Sequence, residues 1–143
     1  MGLRKGLNSD LEDILEIETK VYDKPYWNKK MLDEVLSGKT ENRIWIYELN
    51  KIIIGFIIDL RYANEVNILN IAIGESFQNK GHGSKMVYNY LKSLPQKCTV
   101  LLEVKKNNYK ALKIYSKLNF EKLYIRKAYY NDGADAVNMR LVK

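Results

Sequence analysis

The feature that most constrains the fold is a strand–loop–helix–strand run between Glu65 and Val104. Glu65–Ile73 is predicted to be a strand, Gly81–Leu94 a helix that Pro95 ends, and Val100–Val104 a second strand. Strands joined through a helix in this way lie parallel in one sheet, so the run predicts a parallel crossover unit. Val100–Val104 is almost entirely apolar, so we expect this strand to be buried on both faces.

Two helices and a hairpin are predicted before this run. Ser9 has the position of an N-cap, and Glu12 follows three residues later, as in a capping box. Pro25-Tyr26-Trp27 interrupts that first helix, and Asn28 is placed to cap a second helix that ends at Gly38. The strands predicted here are Leu3–Leu7, Asn42–Glu48 and Ile52–Tyr62, of which the last two form the hairpin.

One helix and a second hairpin are predicted after the run. The helix spans Asn108–Leu118, and the strands Phe120–Tyr130 and Asp135–Val142 are joined by a turn at Asn131-Asp132-Gly133. At 143 residues the chain fits a single domain, residues 1–143. The predicted class is α/β (α+β), with a mixed six- to seven-stranded sheet and helices on both faces.

Composition excludes several classes of protein. A single cysteine, Cys98, rules out an internal disulfide and a cysteine-based metal cluster, and it favours a reducing, cytoplasmic setting. With one histidine and no ligand spacing among the carboxylates, we expect no metal. No apolar run approaches the roughly 20 residues of a membrane span. The net charge of +7 comes from Lys and Arg interspersed with Asp and Glu, so we expect no direct nucleic-acid partner.

The segment most informative about function is Gln78–Ser84. Gly81 and Gly83 allow a tight turn and let backbone N–H groups approach a ligand closely. The helix that follows adds unpaired N–H donors and a partial positive charge, a combination that favours a pyrophosphate. Lys80 adds a mobile positive charge, and Ser84 adds a hydroxyl. The spacing is neither a Walker loop nor the Rossmann pattern, and a plain glycine-rich turn is the alternative interpretation.

Gln78, Gly81 and Gly83 match the coenzyme A loop Q/R-x-x-G-x-G/A, and on these residues the chain resembles the GNAT superfamily of acetyltransferases. More narrowly, it is similar to the bacterial enzymes that acetylate the N-terminal alanine of a ribosomal protein. Further matching residues are Asn70–Ile73, Phe77, Leu102–Val104, Asn107, Asn108, Ala111, Tyr115, Leu118, Phe120, Arg126, Tyr129, Tyr130, Asp135, Ala136 and Met139. The resemblance implies a GNAT fold with acetyl-coenzyme A as co-substrate. Asn119 replaces the usual glycine of one turn, but asparagine tolerates a left-handed backbone, so we expect the turn to survive.

The resemblance also implies which residues hold the cofactor. Backbone groups of Ile71, Ala72 and Ile73 are expected to bind the pantetheine arm and the thioester carbonyl, where N–H donors act as an oxyanion site. The loop residues expected to bind the pyrophosphate are Gln78, Asn79, Lys80, Gly81, His82, Gly83 and Ser84. His82 is expected beside the phosphates rather than beside the reacting carbon. Asn108 is expected to contact the cofactor or, alternatively, only to cap its helix.

Two residues are expected to be catalytic. Glu103 lies in an apolar strand, where a carboxylate loses hydration and becomes a better general base. The alternative is a glutamate on the solvent face of an edge strand, or one paired with a lysine. Tyr115 is the expected general acid, because a phenol keeps its proton at neutral pH and can donate to the departing sulfur. The alternative is a tyrosine that packs in the core.

The acceptor is expected to be a protein or peptide N-terminus, because an α-amine has a pKa near 8 and a lysine one near 10.4. The resemblance favours the N-terminal alanine of a small-subunit ribosomal protein. Trp27, Tyr129 and Tyr130 either line a peptide groove or pack in the core. Two other functions stay open: acetylation of a small amine, such as a polyamine, drug or amino acid, and a non-catalytic module that binds coenzyme A or nucleic acid.

Overall fold

The computed structural model describes residues 2–22 and 26–143. Its strands are β1 (Gly2–Lys5), β2 (Arg43–Leu49), β3 (Ile52–Tyr62), β4 (Glu65–Ile73), β5 (Thr99–Lys105), β6 (Glu121–Arg126) and β7 (Ala136–Val142). Its α-helices are α1 (Leu11–Val21), α2 (Lys29–Leu36), α3 (His82–Ser93) and α4 (Tyr109–Lys117). Short 3₁₀ turns cover Asn8–Asp10 and Glu75–Phe77.

The strands form one seven-stranded sheet in the order β1-β2-β3-β4-β5-β7-β6. β4 and β5 pair in parallel over Glu65–Asn67, which confirms the crossover predicted from the sequence. The β2–β3 and β6–β7 pairs are antiparallel, which confirms both hairpins and the mixed sheet. At the β2–β3 turn, Asn50 and Lys51 have φ angles of 52° and 66°, as expected of a two-residue hairpin turn.

The chain divides into two compact units. The first unit contains the described residues up to Leu60 together with Asn70–Ser93. The second contains Arg61–Leu69 and Leu94–Lys143. The single domain expected over residues 1–143 stays a prediction.

The core of the first unit lies where α1 and α2 pack on β2, β3 and β4. Its buried members are Ile14, Ile17, Leu32, Val35, Ile44, Ile46, Phe56, Ile58 and Ala72. Burying one such large side chain contributes about 1.5–3 kcal/mol, so this cluster fixes the two helices on the sheet. Gly55 of β3 is required by close approach, since a Cβ there would lie 2.7 Å from the Ala72 carbonyl oxygen and 2.7 Å from Ile73 Cδ1.

The entry to α1 differs from the sequence prediction, and the capping box at Ser9 and Glu12 is wrong. The helix begins at Leu11, and Asp10 arranges the turn before it. The Asp10 carboxylate accepts from the Leu7 N–H at 2.7 Å and pairs with Arg4, whose Nη1 lies 2.8 Å away. Charge-assisted hydrogen bonds of this kind are about twice as strong as neutral ones, so they prevail over a serine hydroxyl.

The predicted start and end of α2 are confirmed. Asn28 Oδ1 accepts from the Met31 N–H at 2.9 Å, which satisfies one of the unpaired donors at the helix start. The helix ends at Leu36, and Gly38 follows with a φ of 75°. Pro25, expected to interrupt the chain before α2, lies outside the described residues, whereas Tyr26 and Trp27 lie within them.

In the second unit, β5 corrects the expectation of burial on both faces. Val100, Leu102 and Val104 are buried, whereas Leu101 and Glu103 are half-buried. Successive side chains of a strand point to opposite faces, and one face of β5 is only partly covered. Glu103 therefore lies on the accessible face of an interior strand.

The last hairpin is shorter than predicted, but its turns form as expected. β6 ends at Arg126 rather than at Tyr130, and Ala128 has a left-handed φ of 49° that is incompatible with a continuing strand. Asn119 has a φ of 74°, which confirms that asparagine replaces glycine there without loss of the turn. That turn is closed by the Phe120 N–H, which donates to the Tyr115 carbonyl at 3.0 Å.

Candidate active site

The loop before α3, in the first unit, has the geometry of an anion site. Gly81 has a φ of 83°, and no atom lies within 4 Å of the position that a Cβ would take. The Lys85 N–H donates to the Gly81 carbonyl at 3.2 Å, so the helix ladder begins at Gly81. The N–H groups of His82, Gly83 and Ser84 precede that first bond and are oriented for a ligand or solvent. Together with the positive end of the helix dipole, they favour a phosphate.

Two polar side chains of the loop are engaged within the first unit. Gln78 Nε2 donates to the Ile73 carbonyl at 3.0 Å, which ties the loop to the end of β4. Lys80 Nζ donates to the Ser76 carbonyl at 3.1 Å and remains exposed. Asn79 has a left-handed φ of 63° that turns the chain towards Gly81. Gln78 thus shapes the loop, while Lys80 keeps a mobile charge next to it.

His82 is half-buried at the start of α3. Its ring meets the Phe77 ring edge-on, with the centroids 6.3 Å apart, and its Nδ1 is a buried atom without a hydrogen-bond partner. The imidazole therefore packs on Phe77, and the contribution of His82 to the anion site is its backbone N–H. Its role beside the phosphates stays a prediction.

The end of β4 carries the three residues expected to contact pantetheine and the thioester. Ile71–Ile73 lie beyond the stretch of β4 that pairs with β5. The Ile71 carbonyl accepts from the Tyr22 hydroxyl at 2.7 Å, and the Ile73 carbonyl accepts from Gln78. Each carbonyl oxygen has two lone pairs, so a carbonyl that accepts one hydrogen bond can accept a second.

Glu103, in the second unit, is held by a cation from β6. Arg126 Nε lies 3.4 Å from Glu103 Oε1, and the two side chains are 47% and 26% exposed. β5 lies between β4 and β7, so the interpretation of Glu103 as part of an edge strand is wrong. Its cationic partner is an arginine rather than a lysine. A carboxylate that is accessible and oriented in this way can accept a proton from an amine.

Tyr115 lies on α4 and is 7% exposed. Its ring meets Phe120 edge-on, with the centroids 5.7 Å apart. Burial raises the pKa of the Tyr115 phenol well above its usual value, and Tyr130 adds to the effect. The hydroxyl is therefore protonated at neutral pH, as an acid or a hydrogen-bond donor must be.

Asn108 caps α4, because its Oδ1 accepts from the Ala111 N–H at 3.2 Å. This confirms the capping role, and a cofactor contact through the remaining amide N–H stays a prediction. Trp27 is half-buried and packs against the core of the first unit, which supports its interpretation as a packing residue. Tyr129 is 51% exposed and meets Tyr130 edge-on at 5.2 Å, so this pair is accessible.

Glu18 of α1 is a buried polar residue that the sequence reasoning missed. It is 0% exposed, and burial raises the pKa of its carboxyl group. Its Oε1 accepts from Asn70 Nδ2 at 2.6 Å, and its Oε2 accepts from the N–H groups of Tyr26 and Trp27 at 2.8 and 3.3 Å. The signal was present: Glu18 lies four residues after Ile14 and three before Val21, on the apolar face of the helix.

Across residues 2–22 and 26–143, no group of three or more His, Cys, Asp or Glu side chains is arranged to hold a metal ion. Each helix within those ranges is too short or too polar to span a lipid bilayer.

The comparison with known proteins agrees with the fold. Residues 10–120 match the acetyltransferase (GNAT) family, and the chain belongs to that family. Members of this family use acetyl-coenzyme A as co-substrate. The seven-stranded mixed sheet is the GNAT fold expected from the sequence.

Three similar proteins illustrate the range of relatives. An N-alpha-acetyltransferase of Saccharolobus solfataricus is 36% identical over 76 residues, which are 51% of this chain and 46% of that protein. The chain thus matches about half the length of that relative. The [ribosomal protein bS18]-alanine N-acetyltransferase of Haemophilus influenzae is 32% identical over 123 residues, 85% of this chain and 82% of that protein. The crystal structure of the Escherichia coli ribosomal-protein-S18-alanine N-acetyltransferase superposes with a TM-score of 0.85 at 25% identity, covering 98% and 92% of the two chains.

Proposed function

We propose that the chain transfers the acetyl group of acetyl-coenzyme A to the N-terminal amine of a protein, in the cytoplasm. The favoured acceptor is the N-terminal alanine of a small-subunit ribosomal protein. The observation that carries the proposal is the first turn of α3, where Gly81 and the N–H groups after it offer an anion site. Similarity to enzymes named for this acceptor, over most of the chain, supports the choice of substrate.

The cofactor is held mainly through backbone groups. The N–H groups of His82, Gly83 and Ser84 bind the pyrophosphate, and Lys80 adds a charge that can turn towards it. Backbone groups of Ile71–Ile73 bind the pantetheine arm and polarise the thioester carbonyl. A preorganised donor at such a carbonyl contributes about 3 to 4 kcal/mol in well-studied enzymes. Gln78 and Asn79 shape the loop, and Asn108 contributes its amide N–H.

The transfer requires one base and one acid. The acceptor nitrogen attacks the thioester carbon and loses a proton to Glu103, directly or through a water molecule. The carbon–sulfur bond then breaks, and the electron pair leaves with sulfur. Tyr115 donates its hydroxyl proton to the developing thiolate, and its raised pKa ensures that the hydroxyl is protonated when sulfur departs.

A panel of acceptors tests this proposal. The purified protein is incubated with acetyl-coenzyme A and a peptide that begins with alanine, and the products are sequenced by mass spectrometry. We expect one acetyl group on the N-terminal nitrogen. The matched control is the same peptide with its N-terminus blocked and its lysines free, which should stay unmodified. Turnover on polyamines or free amino acids but not on the peptide would contradict the proposed acceptor.

A further inference from the structure

Asn138 of β7 carries a buried donor that no other group in the described structure satisfies. The residue is 8% exposed, and its Nδ2 has no hydrogen-bond partner. An unpartnered buried donor costs about 1–3 kcal/mol. Along β7, Val137 and Met139 point to the opposite face, and the residues that share a face with Asn138 are Ala136 and Arg140. The hydrogen bonds of the described residues therefore leave the Asn138 amide donor without a structural role.

The sheet register places Asn138 beside Glu103. The two residues are directly opposite each other on β5 and β7, and Tyr124 is opposite Asn138 on β6. Residues opposite each other in antiparallel strands share a face, with Cβ atoms about 4.5–5.5 Å apart. Asn138 therefore lies between the carboxylate of Glu103 and the ring of Tyr124.

Arg126 contacts both residues that flank Asn138, namely Glu103 and Tyr124. Its Nε lies 3.4 Å from Glu103 Oε1, and its Nη2 lies 3.5 Å from the Tyr124 hydroxyl. The guanidinium thus contacts both neighbours of Asn138 on the same face. One oxygen of the Glu103 carboxylate is paired with Arg126, and the register of β5 and β7 places the Asn138 amide on the same face as that carboxylate.

We propose that Asn138 is a positioning residue that holds, together with Glu103, one water molecule in the path of the acceptor proton. This inference rests on the proposed function and specifies how Glu103 acts in it. Asn138 Nδ2 makes no direct hydrogen bond, and neighbouring polar groups of this kind are commonly joined by a water. The site offers a donor, an acceptor and the incoming amine, which meets the two to four partners that a buried water needs.

The acceptor amine, the water molecule and Glu103 account for every proton that moves. Asn138 Nδ2 donates to the water oxygen, and the water donates one hydrogen to the Glu103 carboxylate. When the amine nitrogen bonds to the thioester carbon, its proton passes to the water oxygen, and a water proton passes to Glu103. The water is regenerated, the carboxylate becomes the acid, and no other reactant is needed.

Replacement of Asn138 by leucine tests the proposal, because structural and functional roles predict opposite results. Removal of an unpartnered buried donor should leave the melting temperature unchanged or raise it. The kcat for the acceptor peptide should fall at least about tenfold, within the usual range of proton-transfer contributions. KM for acetyl-coenzyme A should stay within about twofold. The matched control is Met139→Leu on the opposite face of β7, which should change neither kcat nor KM.

A double-mutant cycle tests whether Asn138 acts through Glu103. Glu103→Gln combined with Asn138→Leu should be no slower than Glu103→Gln alone, since both changes remove the same relay. Additive losses would overturn the proposal, and so would a wild-type kcat in Asn138→Leu. If Asn138→Leu does not fold, Asn138→Ala replaces it with the same expectations for kcat. Absence of peptide acetylation by the wild-type protein would instead reject the proposed function.

Discussion

Arg126 Nε lies 3.4 Å from Glu103 Oε1, and the guanidinium carbon of the same arginine lies 5.2 Å from the centroid of the Tyr129 ring. The carboxylate proposed as the base is therefore oriented by a cation that an aromatic ring after β6 supports in turn.

Glu103→Gln should lower kcat/KM for the peptide by about 10²–10⁴-fold, since the amide cannot accept the amine proton. Stability should change by less than about 1 kcal/mol, because the ion pair with Arg126 is partly exposed to solvent. Steady-state kinetics and thermal melting measure the two effects. Glu121→Gln, which removes the exposed glutamate–arginine pair between β6 and β7, is the control and should retain full activity. Retained activity in Glu103→Gln would exclude Glu103 as the base.

Tyr115→Phe should lower kcat at least about tenfold, with little change in the affinity for acetyl-coenzyme A, because the ring contact with Phe120 remains. Kinetics and calorimetric titration separate the two quantities. The control is Tyr109→Phe, at a tyrosine of the same helix that is 76% exposed. An equal loss in both variants would show that the effect does not come from an acid at position 115.

Gly81→Ala should weaken acetyl-coenzyme A binding about tenfold, since alanine strains the left-handed turn that aims the N–H groups of α3. Gly133→Ala is a closely matched control. Gly133 has a φ of 85°, against 83° for Gly81, and no atom lies within 4 Å of either Cβ position. Both variants should lose about 1–2 kcal/mol of stability. Only the first should lose affinity in calorimetry, and equal losses of affinity would contradict an anion site at the start of α3.

Glu18 should make stability fall as the pH rises above about 4.5, the usual pKa of glutamate. Burial raises the pKa of its carboxyl group in the folded state, so the folded chain binds more protons than the unfolded chain in that range. Stability from this group is greatest below the unfolded pKa and is lost as the pH rises through the folded one. Denaturant titrations between pH 4 and about 7 should show that slope in the wild type and a smaller one in Glu18→Gln. An unchanged slope would contradict the raised pKa.

The sequence correctly predicted the helix caps and turns that depend only on neighbouring residues. Asn28 caps α2, Asn119 adopts the left-handed turn, and Pro95 follows α3, because each depends on backbone chemistry within a few residues. The crossover between β4 and β5 followed from general rules of chain connection.

The features that the sequence did not predict depend on partners that the local pattern does not identify. Asp10 organises the start of α1 because Arg4, six residues earlier, pairs with it, and Glu18 is buried beside Asn70 of β4, 52 residues away. The partial exposure of Glu103 likewise depends on what covers one face of β5, which an apolar run does not reveal. For the same reason, the proximity of Asn138 to Glu103 appears only once the register of β5 and β7 is known.

The bare backbone at Gly55 ties the thioester site to a residue on a different strand. A single added methyl group would press on the carbonyl of Ala72 and the side chain of Ile73, both on the segment proposed to grip the thioester. The close packing therefore excludes every side chain at position 55, although Gly55 itself takes no part in the reaction. A saturation library selected for acetyl transfer should return glycine there almost alone, because any side chain at position 55 would displace the end of β4.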